Sequence, residues 1–157
     1  MPEKKTTQRA RRDRRQGKSA STQAGEFVRE EIEHVREGEH GARSAKQAIA
    51  IGLSKARRAG VKLAAPGKGK TSSRTRRQAE RDLDRGSAKR SGGAKKKTSA
   101  SRSRGAKKAL AKEGRSAASH ASLARQGRSA ARKRSAAERS ASAKKAARTR
   151  RKASRRK

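Results

Sequence analysis

Large apolar residues are unevenly spread along this chain. Beyond alanine there are thirteen, and nine of them crowd into one stretch: Phe27, Val28, Ile32, Val35, Ile49, Ile51, Leu53, Val61 and Leu63. Only Met1, Leu83, Leu110 and Leu123 lie outside it. At 100° per residue, Phe27, Val28, Ile32 and Val35 share one arc of about 140°. Glu26, Glu30, Glu33 and Glu37 occupy its flank at i, i+4, i+7 and i+11. The spacing predicts a helix from about Thr22 to Glu37, ended by Gly38.

A second helix is expected after the loop Gly38-Glu39-His40-Gly41-Ala42-Arg43. Ser44-Ala45-Lys46-Gln47 matches a capping box, with the Ser hydroxyl on the Gln47 N–H and the Gln reaching back. Ala45, Ala48, Ile49, Gly52, Leu53, Ala56 and Ala59 line one face. Gly60 suits a left-handed C′ position, with Val61 folding back onto the helix. Two helices on a short loop predict an antiparallel hairpin, and Ala48, Gly52 and Ala56 would let its helices approach closely. Ala65-Pro66-Gly67-Lys68-Gly69-Lys70 reads as a hinge, followed by a weaker helix over 74–85 that ends at Gly86 and is anchored by Leu83.

The remainder looks low-complexity. The 71 residues from Ser87 onward carry 26 Lys/Arg and two acids, Glu113 and Glu138, among Ala, Ser and Gly. Gly-Arg-Ser-Ala-Ala occurs at Gly114 and again at Gly127. The whole chain has a formal net charge of +36 over 157 residues. Low hydrophobicity with high net charge is the signature of disorder, because little apolar surface is available to offset chain entropy. The expected fold is therefore mostly disordered with a short all-α helical hairpin. Its parts are a basic disordered arm over 1–20, the hairpin over 21–63, a hinge and weak helix over 64–86, and a disordered tail over 87–157. A hairpin with nine large apolar side chains is marginal, and self-association into a homodimer would help it.

The chemistry follows from the charge. A polycation is best matched by a polyanion, and duplex DNA carries one charge per ~1.7 Å of axis, whose condensed counterions are released on binding. The expected nucleic-acid contacts are Arg11, Arg12, Arg14 and Arg15 in the arm. In the tail they are Lys95, Lys96, Lys97, Lys107, Lys108, Arg132, Lys133, Arg134, Lys144, Lys145, Arg148, Arg150, Arg151, Lys152, Arg155, Arg156 and Lys157. Neither Trp nor Tyr is present, which disfavours base stacking on aromatic side chains and hence single-strand reading. Phe27, Ile32, Val35, Ile49, Ile51 and Leu53 are the residues that could meet a partner or a second copy, with Ile51 on the outer side of its helix. The carboxylate stripe reads most simply as a solvated face paired with Lys and Arg; the sharper alternative is that it holds the tail or arm internally and competes with DNA for it.

Other motifs are weaker. Gly69-Lys70-Thr71 imitates the end of a phosphate-binding loop, but Ala64 stands where the leading glycine is required. Glu31-Ile32-Glu33-His34 and Glu37-Gly38-Glu39-His40 both match Glu-x-x-His. Such elements need partners on separate helices to hold metal, and the second straddles a helix stop, so no metal site is expected. There is no Cys, no nucleophile–base pair and no cofactor motif, so no enzyme is expected. The longest apolar run, Ala48–Ile51, is far shorter than the ~20 residues of a membrane span. A cytoplasmic, nucleoid location and no membrane partner are the expectation.

The run from Ser44 to Gly60, SAKQAIAIGLSKARRAG, resembles the signature of a family of small, basic, uncharacterised bacterial proteins. Phe27-Val28-Arg29-Glu30-Glu31-Ile32 and His40-Gly41-Ala42-Arg43 fit it too, so the likeness covers about residues 19–65. That resemblance implies no catalytic residues and only a loose association with DNA binding or plasmid stabilisation. The tail is similar in composition to linker-histone tails and bacterial histone-like proteins, although it lacks Ser-Pro-Lys-Lys units. The expected function is sequence-nonspecific, histone-like or nucleoid-associated DNA binding. Two alternatives are an RNA- or ribosome-associated protein and a protein-interaction module localised by its basic tail.

Overall fold

A computed structural model describes residues 2–90 and 100–155. Seven α-helices run through them: α1 (Lys4–Arg15), α2 (Ala20–Glu37), α3 (Ala45–Arg58), α4 (Ser73–Arg90), α5 (Ala100–Ala111), α6 (His120–Arg132) and α7 (Ala136–Ser154). A 3-10 turn, Ser116–Ala118, precedes α6. The chain divides into two units, Met1–Ser119 and His120–Lys157.

The hairpin of α2 and α3 is the centre of the first unit, and its ends are set locally. Ser19 and Ser44 are the N-caps, accepting from the N–H groups of Thr22 and Gln47. Gln47 does reach back, but its Oε1 accepts from the Arg43 N–H at 3.0 Å. Gly38 closes α2 at φ 87° and Gly60 follows α3 at φ 92°. Past α3, the Val61 N–H bonds the Ala56 carbonyl and the Gly60 N–H that of Arg57, which is the Schellman pattern. The helices cross antiparallel at Gly52, where a Cβ would stand 2.7 Å from Val28 Cα.

Two apolar clusters flank that crossing. Ala10, Ala24, Phe27, Ala56 and Val61 form one, with Leu53 and Leu63 packed against it; Val35, Ala42, Ala48, Ala117 and Ala118 form the other, with Ile32 at its edge. Nine of the twelve buried apolar residues are alanines, so counting only large side chains underestimates this core. That is why the expectation of a mostly disordered chain fails. Ala, Lys and Arg are also among the strongest helix formers, and here alanine serves both as helix former and as core residue.

The expected disordered arm is the helix α1. Thr6, Ala10 and Asp13 recur at i, i+4 and i+7 and are buried, giving this basic helix an inner face against α2. The expected disordered tail is likewise helical through α5, α6 and α7. The expected weak helix over 74–85 is the longer α4, which passes through Gly86 instead of stopping there. A Cβ at Gly86 would overlap the Arg57 carbonyl, so this glycine permits close approach to the end of α3. Ala79 and Asp82 are buried on α4, whereas Leu83 is half-buried.

Candidate nucleic-acid interface

Charge is sorted between surface and interior in this fold. Of the acids, Asp13, Glu30, Glu31 and Asp82 are buried; of the basic residues described, only Arg57 is. Each buried acid has a cationic neighbour. Lys18 Nζ lies 2.7 Å from Asp13, Lys55 Nζ 2.6 Å from Glu31 and 3.7 Å from Glu30, and Arg58 Nε 3.7 Å from Asp82. Asp82 also accepts the Ser54 hydroxyl at 2.6 Å and the Gln78 amide at 3.2 Å, which ties α4 to α3 through polar contacts.

Arg57 has a structural role. Its guanidinium donates to the carbonyls of Leu63 at 3.0 Å and Ala64 at 3.2 Å, holding the chain after α3. Burial pulls its pKa down from the ordinary arginine value, and the charge of Asp82 opposes that shift.

The outward surfaces are basic. Arg11, Arg12, Arg14 and Arg15 are all exposed on α1, and Lys5, Arg9, Arg12 and Arg15 line one open face with Gln8. Lys107 and Lys108 are exposed on α5. The second unit, His120–Lys157, has 15 Lys/Arg and one acid, Glu138. No residue of α6 is buried, and Arg125, Arg128 and Arg132 of this helix form a contiguous patch with Lys133 just beyond its end. Arg134, Lys144, Lys145, Arg148, Arg150, Arg151 and Arg155 are exposed in and around α7. At 1.5 Å per residue, Lys144, Arg148 and Arg151 make one row about 10 Å long. Lys152 belongs to α7. Lys95, Lys96, Lys97, Arg156 and Lys157 lie outside the described residues.

A local motif starts α7. The Ser135 N–H donates to Glu138 Oε2 at 2.9 Å and the Glu138 N–H to Ser135 Oγ at 3.1 Å. This is a reciprocal capping box, legible in Ser135-Ala136-Ala137-Glu138 but absent from the sequence reading.

The residues expected to meet a partner divide by burial. Phe27 and Val35 are fully buried within the first unit, which removes them from any partner surface. Ile32 and Leu53 pack against the two clusters, and Ile49 and Ile51 are half-buried. The carboxylate stripe also divides. Glu26 faces Arg9 of α1 at 3.9 Å, and Glu30 accepts from the Glu3 N–H at 3.3 Å, whereas Glu33 and Glu37 are exposed. The stripe therefore touches the N-terminal helix through Glu26 and Glu30.

Two smaller features complete the description. Gly69-Lys70-Thr71 lies in a turn, and no β-strand is present among the described residues. Glu31, His34 and His40 bring potential ligand atoms within 4.8 Å of one another. No described helix is long and apolar enough to cross a membrane. No family model matches this chain, nor does any curated protein or solved structure.

Proposed function

We propose that this protein is a non-enzymatic, sequence-nonspecific DNA-binding protein that coats or compacts duplex DNA. The observation that carries this reading is the sorting of charge. Four acids are withdrawn into the interior, while basic side chains cover the outer faces of α1, α6 and α7. A polyanion meeting those faces releases condensed counterions, which is a sequence-independent driving force. Preformed helices also lower the ordering cost of binding relative to a chain that must fold on its target.

The roles follow from the geometry. Lys and Arg of α6 and α7 neutralise phosphates, and the exposed face of α1 adds a second basic surface. The first unit contributes a packed body through α1–α4. Neither tryptophan nor tyrosine is available for stacking, which favours a duplex over a single strand.

The test is fluorescence anisotropy of labelled duplex DNA titrated at salt from ~50 to ~200 mM, with matched RNA as competitor. Affinity is expected to fall by ~10³–10⁵ across that range. Replacing Lys144, Lys145, Arg148, Arg150 and Arg151 with Gln should flatten the log–log salt slope by up to ~4–5, at ~0.9 per lost phosphate contact. Tighter binding to RNA would reassign the substrate. A salt-independent affinity, or an unchanged slope in the variant, would overturn the proposal.

A further inference from the structure

Glu31 is completely buried, and neither of its oxygens makes a hydrogen bond. Oε2 lies 2.6 Å from Lys55 Nζ. Oε1 faces His40 Nε2 at 3.3 Å. The other nitrogen of that ring, Nδ1, is 3.2 Å from the Gly41 carbonyl. A carbonyl oxygen can only accept, so Nδ1 is the donor there and carries the proton. With Nδ1 turned to that carbonyl, Nε2 is the ring nitrogen available to a cation placed between it and Glu31 Oε1.

His34 completes the cluster from one turn further along α2. Its ring meets that of His40 edge-on, with centroids 6.1 Å apart and planes at 87°. Each of its nitrogens already faces a carboxylate: Nε2 is 3.5 Å from Glu3 and Nδ1 is 3.5 Å from Glu39. Whichever nitrogen served as a ligand, the other would keep an acceptor, the arrangement that fixes metal-binding imidazoles. Glu3 and Glu39 are half-exposed and could supply a fourth ligand.

The neighbouring charges favour a cation. Glu30 and Glu31 are both buried and share Lys55, leaving one carboxylate charge uncompensated by that lysine. The loop carrying His40 is held in place: the Gly41 N–H bonds the Leu110 carbonyl and the Ala42 N–H that of Gly114. A Cβ at Gly41 would overlap the Glu113 carbonyl, so the end of α5 and the residues just after it clamp this loop. Bonds of ~2.0–2.1 Å to a tetrahedral ion place ligand atoms about 3.3–3.4 Å apart. Glu31 and His40 already have that spacing, and a side-chain rotation would bring His34 in.

We propose that Glu31, His34 and His40 form a site for a divalent cation of the zinc class. Two imidazoles and one carboxylate suit Zn²⁺ or Co²⁺ better than Mg²⁺ or Ca²⁺, which take oxygen ligands. The ion would join α2 to the loop after it and, through that loop, secure the clamp formed by residues 110–114. This site is independent of the basic faces and of the DNA-binding reading.

The experiment uses the full chain freed of metal and titrated with Zn²⁺ alone, followed by nitrogen NMR of its three histidines. The ring nitrogens of His34 and His40 should shift at one equivalent, while those of His120 should not. Co²⁺ should give the visible bands of a tetrahedral nitrogen–oxygen site. His34→Gln and His40→Gln should each weaken zinc binding at least ~10-fold, while His120→Gln should leave it unchanged. Absence of shifts at His34 and His40 at saturating zinc would refute the site without reference to any variant. Uptake that persists undiminished in folded His34→Gln and His40→Gln proteins would also refute it.

Discussion

Gly52 is the position at which the hairpin's geometry is most sharply tested. It lies where α3 crosses α2, and a Cβ added there would sit 2.7 Å from Val28 Cα and 2.9 Å from the Phe27 carbonyl oxygen. Both are backbone atoms, so no side chain can rotate away and the helices must separate. Overpacking of this kind costs about 1–3 kcal/mol, and a backbone obstacle places Gly52→Ala toward the upper end. The substitution also gains about 0.8–1 kcal/mol of helix propensity. The net expectation is a loss of about 1–2 kcal/mol. Gly25, on the same hairpin within α2, has nothing within 4 Å of its added Cβ, so Gly25→Ala should gain about 0.8–1 kcal/mol from propensity alone. The two Gly→Ala variants should therefore differ in sign and be separated by about 2–3 kcal/mol. Urea unfolding followed by circular dichroism measures both, with m-values confirming that the compared states are equivalent. If Gly52→Ala stabilises as much as Gly25→Ala, the close crossing of α2 and α3 is wrong.

Other expectations probe the remaining joints. Gly41→Ala should loosen the 110–118 segment, read as faster amide exchange at Ala118 with little change at Phe27. Truncating Arg57 to Ala leaves the Leu63 and Ala64 carbonyls without their donor and should cost about 1–3 kcal/mol in chemical denaturation. Asp82→Ala removes the acceptor of Ser54 and Gln78; a comparable loss is expected, and it should be non-additive with Ser54→Ala in a double-mutant cycle. Ser135→Ala should fray the start of α7 by about 1 kcal/mol, visible in local exchange rates while the first unit melts unchanged.

Local features of this chain were readable from the sequence because they depend on neighbours three to five residues away. The hairpin helices follow from the spacing of Phe27, Ile32 and Val35. Their boundaries follow from Ser44, Gly38 and Gly60, whose hydroxyl and left-handed backbone conformations act within one turn. Gly52 as a close-contact residue was also legible, since a small residue on an apolar helix face has few other uses. The basic character of α1, α6 and α7 is a matter of composition and needs no coordinates.

Long-range consequences were not legible, and alanine is the main reason. An alanine on a basic helix looks the same whether it faces water or a neighbouring helix. Ala10 and Ala24 become core only because α1 and α2 pack together. The repeated Gly-Arg-Ser-Ala-Ala makes the point within one chain. Ala117 and Ala118 of the first copy are buried against the α2–α3 hairpin, while Ala130 and Ala131 of the second are exposed on α6. The cluster of Glu31, His34 and His40 was hidden because each Glu-x-x-His pair was read by itself, whereas the ligands come from both copies, joined by the turn at Gly38. Sequence determined the helix formers, their caps and the net charge, all set by short-range chemistry and composition. The tertiary structure alone decided which alanines form a core and which acids leave the surface, because burial depends on what packs across the chain rather than along it.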